Sequence, residues 1–196
     1  MTTEVNQTNP IIWRKGKKIT LRPHREEDLA VYQRWINDPA INKYLMVTWP
    51  MHKLGQREWL EKVSGNDPDN IRLAIWSQED TPRLIGNTEL CLDIRNQSAI
   101  TGTLIGFTTD HGKGYATEAK MLLLDYAFNW RGMRKVTSPI LAPNKASQRY
   151  AQKCGYRHMA TIEQEHFRDG QWIDEAQYVV FRDDWLPLWE KYKKDL

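Results

Sequence analysis

The sequence predicts a mixed α/β (α+β) fold, with a central, mostly antiparallel sheet of about seven strands and helices on its faces. Three observations carry this. Short alternating stretches, separated by turn-forming residues, crowd the middle of the chain. Helix-spaced apolar runs stand on either side of them. A glycine-rich turn joins the last middle strand to a long apolar helix.

In chain order, Lys18 to Arg22 alternates as a first strand. Arg25-Glu26-Glu27-Asp28 opens a helix, because acids in a first turn suit the helix dipole. Leu29, Tyr32, Trp35 and Ile36 form its apolar stripe, and Asn37-Asp38-Pro39 stops it. A second helix is expected near Gln56 to Val63. Strands follow at Ile71 to Ser77, Arg83 to Ile94 and Ile100 to Thr108, with Leu90, Leu92 and Ile94 sharing one face. Residues 78–82 and 95–98 read as hairpin turns. Ala116 to Trp130 is a helix apolar over a wide arc, as expected of one packed on a sheet. Lys135 to Leu141 is a strand, and Asn144 to Cys154 a short helix that ends at Gly155. Strands near Arg157 to Phe167 and Trp172 to Phe181 flank the turn Arg168-Asp169-Gly170. An amphipathic stretch, Trp185 to Tyr192, closes the chain.

A length of 196 residues suits one domain, read here as residues 13–196 behind a loose tail over 1–12. Apolar residues at 40% and charged residues at 27% are ordinary for a globular protein. No run approaches the ~18 apolar residues of a membrane span, so no membrane association is expected. The opening MTTEVNQTNPII lacks a signal pattern, which points to the cytoplasm. Cys91 and Cys154 are far apart and fit no metal spacing, so no metal is expected. The net charge of +3 is mild, and Lys and Arg interleave with Asp and Glu. That argues against a nucleic-acid partner, which would call for a basic stripe.

The informative segment is Thr103 to Ala119, TLIGFTTDHGKGYATEA. A strand ends, two glycines turn the chain, and a helix begins. Helix starts leave N–H groups unpaired and partly positive. Glycines let that backbone curl around an anion, so the N–H groups of Gly112 through Thr117 can wrap a pyrophosphate. A tight turn with no ligand remains the plain alternative for GKG alone. The Walker pattern is absent, and the dinucleotide fingerprint fails where Thr117 stands in place of its third glycine.

GKGYATEA with its apolar helix, then Asn144-Lys145-Ala146-Ser147, then Lys153-Cys154-Gly155-Tyr156, resembles the GNAT acetyltransferase superfamily, and most of all its RimJ/RimL-like branch. The resemblance runs from about Lys18 to Asp183. The family loop Gln/Arg-x-x-Gly-x-Gly/Ala falls on His111, Gly112, Lys113, Gly114, Tyr115 and Ala116, with His111 departing from the usual Gln or Arg. It implies a splayed sheet, acetyl-CoA as acyl donor, and direct transfer to a primary amine of a small molecule or a protein N-terminus. A catalytically silent acyl-CoA-binding module of the same fold is the alternative, and a homodimer is one assembly open to it. It also implies that Leu104, Ile105 and Phe107 pair with the pantetheine arm, with Thr117 completing the loop.

Acetyl transfer must deprotonate the amine, steady an oxyanion and receive a thiolate. Asn144, Ser147 and Ala151 share one helical face. Many family members carry a tyrosine at the position of Ala151. Ser147 lies one turn earlier on the same face, and the resemblance to the branch, which uses a serine there, makes it the candidate to meet the sulfur, with a surface or capping serine as the alternative. Tyr150 points about 100° aside and reads as packing. Asn144 is a cofactor contact by resemblance and a helix cap by residue type. Glu89, opposite Leu90 and Leu92, is a candidate base or a solvated carboxylate. His166 and Asp174 flank the last turn, and R-D-G-Q-W-I-D resembles the branch's D-G-x-x-x-D pattern, which makes Asp174 a candidate to bind the amine or brace the site. Glu118 is expected to satisfy local N–H groups, and Cys154 is not expected to act as a nucleophile. The loop Met46-Val47-Thr48-Trp49-Pro50-Met51 is expected to wall the acceptor or to pack as a lid. Nothing in it selects one amine, and no acidic cluster marks a polyamine site.

Overall fold

Stretches rich in β-branched and aromatic residues become the strands of the computed structural model, which describes residues 10–47, 49–65 and 67–194. The strands are β1 (Arg14–Lys15), β2 (Ile19–Arg22), β3 (Asn70–Ser77), β4 (Leu84–Asp93), β5 (Ser98–Ile105), β6 (Lys135–Leu141), β7 (Arg157–Arg168) and β8 (Gln171–Phe181). They form one eight-stranded sheet in the order β1-β2-β3-β4-β5-β6-β8-β7. The strand beyond the expected seven is β1, whose two residues are too few to show a period. Residues 1–9 of the expected tail lie outside the described residues.

Neighbouring strands are antiparallel except β5 and β6. These two pair only from Ser98↔Lys135 to Ile100↔Thr137. Beyond that they part into a wedge whose vertex is Thr101 and Ser138. Hydroxyls stitch the vertex: Ser138 Oγ donates to Thr101 O at 3.3 Å and Thr137 Oγ1 to Ala99 O at 3.2 Å.

The helices are α1 (Leu29–Asn37), α2 (Pro39–Asn42), α3 (Lys53–Val63), α4 (Tyr115–Asp125), α5 (Lys145–Lys153) and α6 (Arg182–Lys193). The stop at Asn37 is observed, but Pro39 also starts α2. Proline fits a first helical position, where no N–H is needed, and Asp38 caps the turn by accepting from Ala40 N at 2.9 Å. Beyond α4, a π-helical turn covers Tyr126–Trp130. Its wider turn rotates Trp130 off the expected apolar face and leaves it 68% exposed. Ile94 also departs from the expected face, because it lies past the end of β4 and is exposed.

The strand period of two divides the side chains between two layers. On one face α4 and α6 pack over Leu21, Leu90, Val136 and Val180. On the other, Tyr32 and Trp35 of α1 and Ile41 of α2 pack with Ala74 and Leu84 of the sheet, beside Trp59 of α3. Among the described residues, no helix is long and apolar enough to cross a membrane.

Candidate active site

The turn into α4 depends on glycine twice. Gly112 and Gly114 have φ of +80° and +91°, left-handed values that a Cβ disfavours. Through this turn the amides of Gly112 to Thr117 find no acceptor among the described residues, and Glu118 N is the first to bond, to Gly114 O at 3.0 Å. A Cβ at Gly112 would meet nothing within 4 Å, so the loop is open in front.

Side chains brace the loop from behind. Arg83 donates two 2.7 Å bonds to the buried Asp110, and Lys113 Nζ adds one at 3.0 Å. The Arg83 guanidinium holds the Asp110 carboxyl below the usual carboxylate range. Lys18 Nζ donates to Lys113 O at 3.0 Å. Burial, followed by the bond to Glu79, pushes the Tyr115 hydroxyl up to about 12. His111 bonds Ile105 O at 3.2 Å, tying the loop to the end of β5. Lys113 therefore offers the loop main chain only. Phe107 does not border the cleft: its ring packs edge-on against Trp35, 5.4 Å between centroids. Glu118 reaches far from its own turn. It accepts from Lys17 N and Lys18 N at 2.7 and 2.8 Å and from Tyr192, pinning the β1–β2 turn and α6 rather than local amides.

A cleft of about 1080 Å³ runs from this loop into the wedge. Thr101 and Ser138 border it from the α4 face, whereas Gly102, Leu104 and Pro139 border it from the α1 face. The cleft thus passes through the sheet, which the parting of β5 and β6 permits. Ile105 also borders it. On α5, Asn144 Oδ1 accepts from Ser147 N at 3.1 Å and caps the helix, while Asn144 also borders the cleft. Ser147 borders it too, and its Oγ has no partner among the described residues. Ala151 is fully buried in the core. Tyr150, expected to pack, also borders the cleft, because the opening is wide enough to meet two sides of α5.

At the far mouth, Glu89 lies on the α1 face with Oε2 3.4 Å from Arg72 Nε. A Cβ on the facing Gly102 would sit 2.7 Å from Glu89 Oε1, so glycine makes the room. Asp174 does not border the cleft. Its carboxylate accepts from Gln164 N at 2.9 Å, where β7 bulges and Gln164 takes φ +53°. The next residue, Glu175, borders the cleft instead, since a one-residue step along a strand changes face. Glu175 is 7% exposed and meets His166 Nε2 at 2.8 Å. The motif around Asp174 marks the neighbourhood, and strand parity is the signal for the residue that borders the cleft.

His24 was not foreseen. Its Nδ1 bonds Tyr32 at 2.7 Å, its buried Nε2 has no partner among the described residues, and Trp59 packs edge-on against it. Burial, with Arg72 nearby, lowers its pKa to about 4, so the ring is neutral at physiological pH. Met46 and Val47 border the cleft, Thr48 lies outside the described residues, and the Met51 backbone is held to α1 by Gln33 and Asn37. Arg168, beside the β7–β8 turn, donates to Leu45 O and steadies this loop. Cys154 is buried, its thiol pushed up to about 12, and donates weakly to Thr117 O.

This geometry has relatives. Residues 18–157 match the acetyltransferase (GNAT) domain family model. The uncharacterized protein YkkB of Bacillus subtilis (strain 168) is 31% identical over 149 residues, 74% of this chain and 85% of that protein. The probable N-acetyltransferase YjcK of the same organism is 28% identical over 184 residues, 87% of this chain and 97% of that protein. Among solved structures, spermidine N-acetyltransferase from Vibrio cholerae in complex with CoA and spermine superposes with a TM-score of 0.77 at 22% identity, covering 86% of this chain and 98% of that one. A GCN5-related N-acetyltransferase from Brucella melitensis gives 0.75 at 22%, covering 92% and 83%.

Proposed function

The chain belongs to the GNAT acetyltransferase family, and from that premise we propose that it moves an acetyl group from acetyl-CoA to a primary amine of a small molecule or a protein N-terminus. The observation that carries this is the row of partnerless amides from Gly112 to Thr117, set at the head of α4 where the wedge opens. Those amides suit a pyrophosphate, because each bond to a charged oxygen is worth roughly 1.5–3 kcal/mol. The arm then follows Leu104 and Ile105 down the wedge, with Asn144 and Ser147 alongside on α5.

The amine arrives from the α1 face. Glu89 and Glu175 border that mouth, and their charge attracts an ammonium. Glu89 takes the proton, directly or through water, since only about one alkyl amine in a thousand is neutral at pH 7. The amine nitrogen then bonds to the thioester carbon, the C–S bond breaks, and sulfur leaves with the electron pair. Ser147 Oγ, unpartnered, is the hydroxyl offered to that sulfur. The Asn144–Ser147 pair beside Ala151 favours the RimJ/RimL-like branch. A single cytoplasmic domain over residues 13–196 completes the reading.

Thermal unfolding with acetyl-CoA, ATP and NADH tests it. A ligand that binds only the folded state raises its stability. A rise with acetyl-CoA alone is expected, followed by release of free thiol when a panel of amines is added. No rise at saturating acetyl-CoA overturns the reading.

A further inference from the structure

Lys120 lies on α4 with no exposed surface. Its Nζ donates to Thr101 Oγ1 at 2.6 Å and stands 5.5 Å from the rings of both Tyr150 and Tyr156. No carboxylate lies within ion-pair distance of it among the described residues. A hydroxyl oxygen and two aromatic faces are its partners in place of a carboxylate. A buried cation without an anion is costly, and one retained at this place invites the question of which anion comes to it.

Its place is the vertex of the wedge. Thr101 is the first residue of β5 past the last β5–β6 pair. The Thr101 oxygen has two lone pairs. Lys120 N–H takes one, and the buried Tyr156 hydroxyl, 2.9 Å away with no other partner among the described residues, takes the other in the arrangement where its hydrogen lies on Thr101. The Thr101 hydrogen must then point elsewhere, and the protein acceptor for it is Thr137 O at a long 3.5 Å. Thr101 is therefore a polarised donor on the cleft floor.

We propose that Lys120 is a positioning residue that, acting through Thr101, places positive charge where the donor's sulfur leaves as thiolate. This rests on the acetyl-CoA reading above. From Ile105 to Thr101 the strand descends about 13 Å at ~3.3 Å per residue, a distance an extended pantetheine arm spans. When the amine nitrogen bonds to the acyl carbon and the C–S bond breaks, the sulfur keeps the electron pair, and this is the anion the vertex lacks. Other ionisable groups line the same cleft, among them Lys145 and Arg149 of α5. Lys153 of α5 borders the cleft, Glu89 and Glu175 stand on the opposite face, and Cys154 stays protonated.

The test uses CoA itself, so the acceptor need not be known. The ultraviolet absorbance of the thiolate reports ionisation of bound CoA, and desulfo-CoA reports binding without sulfur. In the native protein the bound thiol is expected to ionise about one pH unit below its ionisation in Lys120→Met, a tenfold effect. Desulfo-CoA should bind both proteins within about threefold, or ~0.7 kcal/mol. Equal thiol ionisation in the two proteins overturns the proposal and leaves the cofactor reading intact. Failure of the native protein to bind either ligand overturns both. If Lys120→Met does not fold, Thr101→Val is read in the same way: a raised thiol ionisation supports the proposal, and an unchanged one overturns it.

Discussion

Beside α4 the cleft is walled mainly by main chain, whereas under α1–α3 it is walled by side chains from elements far apart in sequence. The first end needs two glycines with positive φ, a helix start and a strand whose partner has parted. Its side chains stand behind it: Arg83 and Lys113 on Asp110, Lys18 on the Lys113 carbonyl. The second end takes Glu89 from β4, Glu175 from β8, His24 from the segment before α1, Trp59 from α3 and Met46 from a loop. A main-chain site tolerates substitution around it. A side-chain site changes its ligand with each residue, which is how one donor end can serve many acceptors.

The largest expected effect separates binding from chemistry at the side-chain end. Glu89→Gln should lower turnover about 100-fold, the usual contribution of a positioned base, with acetyl-CoA affinity unchanged. Asp174→Ala should leave turnover within about twofold and cost about 1 kcal/mol of stability, because it removes the acceptor that braces the β7 bulge. Steady-state kinetics and chemical denaturation check the pair, and the reverse pattern would give Asp174 the catalytic part.

At the main-chain end, Gly112→Glu has space for its side chain but strains the left-handed backbone and sets a carboxylate before the pyrophosphate. Acetyl-CoA affinity should fall about 30-fold, or ~2 kcal/mol. Arg83→Met should cost about 2 kcal/mol of stability, since it removes two charged hydrogen bonds from the buried Asp110. It should also blunt acid sensitivity. The Asp110 carboxyl is depressed in the folded state, so its stabilisation is complete above the unfolded value of about 4 and fades as pH falls below it. Urea melts from pH 6 to 3 read both effects.

The effect of His24 is confined to acid pH. Its folded pKa is lowered to about 4, so the unfolded chain binds a proton first as pH falls. Stability is unaffected above the ordinary histidine value of about 6.5 and declines from there toward the folded value. His24→Gln should flatten that window, and an unchanged slope would show that His24 is not held neutral.

How far each end was legible follows from how it is built. Gly112, Gly114, Asn144 and Ser147 sit in contiguous stretches whose spacing maps directly onto a turn and a helix face. Glu89 is legible on the face opposite Leu90 because β4, past its bulge at Ile85, alternates from Gly86 to Leu90. Asp174 stands out in sequence through its motif, whereas Glu175 borders the cleft through the one-residue parity that decides which face a side chain takes. Trp130 was assigned inward because a π-helical turn leaves no mark in a 3.6-residue period. Lys120 reads in sequence as an ordinary helix lysine, although Ala119, Met121 and Leu122 around it belong to an arc with little room for an exposed side chain. His24 joins the site only through tertiary packing against Tyr32 and Trp59, and no local pattern encodes that.

Calorimetric titration of acetyl-CoA into the native protein and into Gly112→Glu tests the central claim most directly. Saturable binding at one site, weakened about 30-fold by the substitution and left intact by Glu89→Gln, is the predicted result. Absence of binding in the native protein, or equal binding in Gly112→Glu, would contradict a donor site made from the main chain at the head of α4.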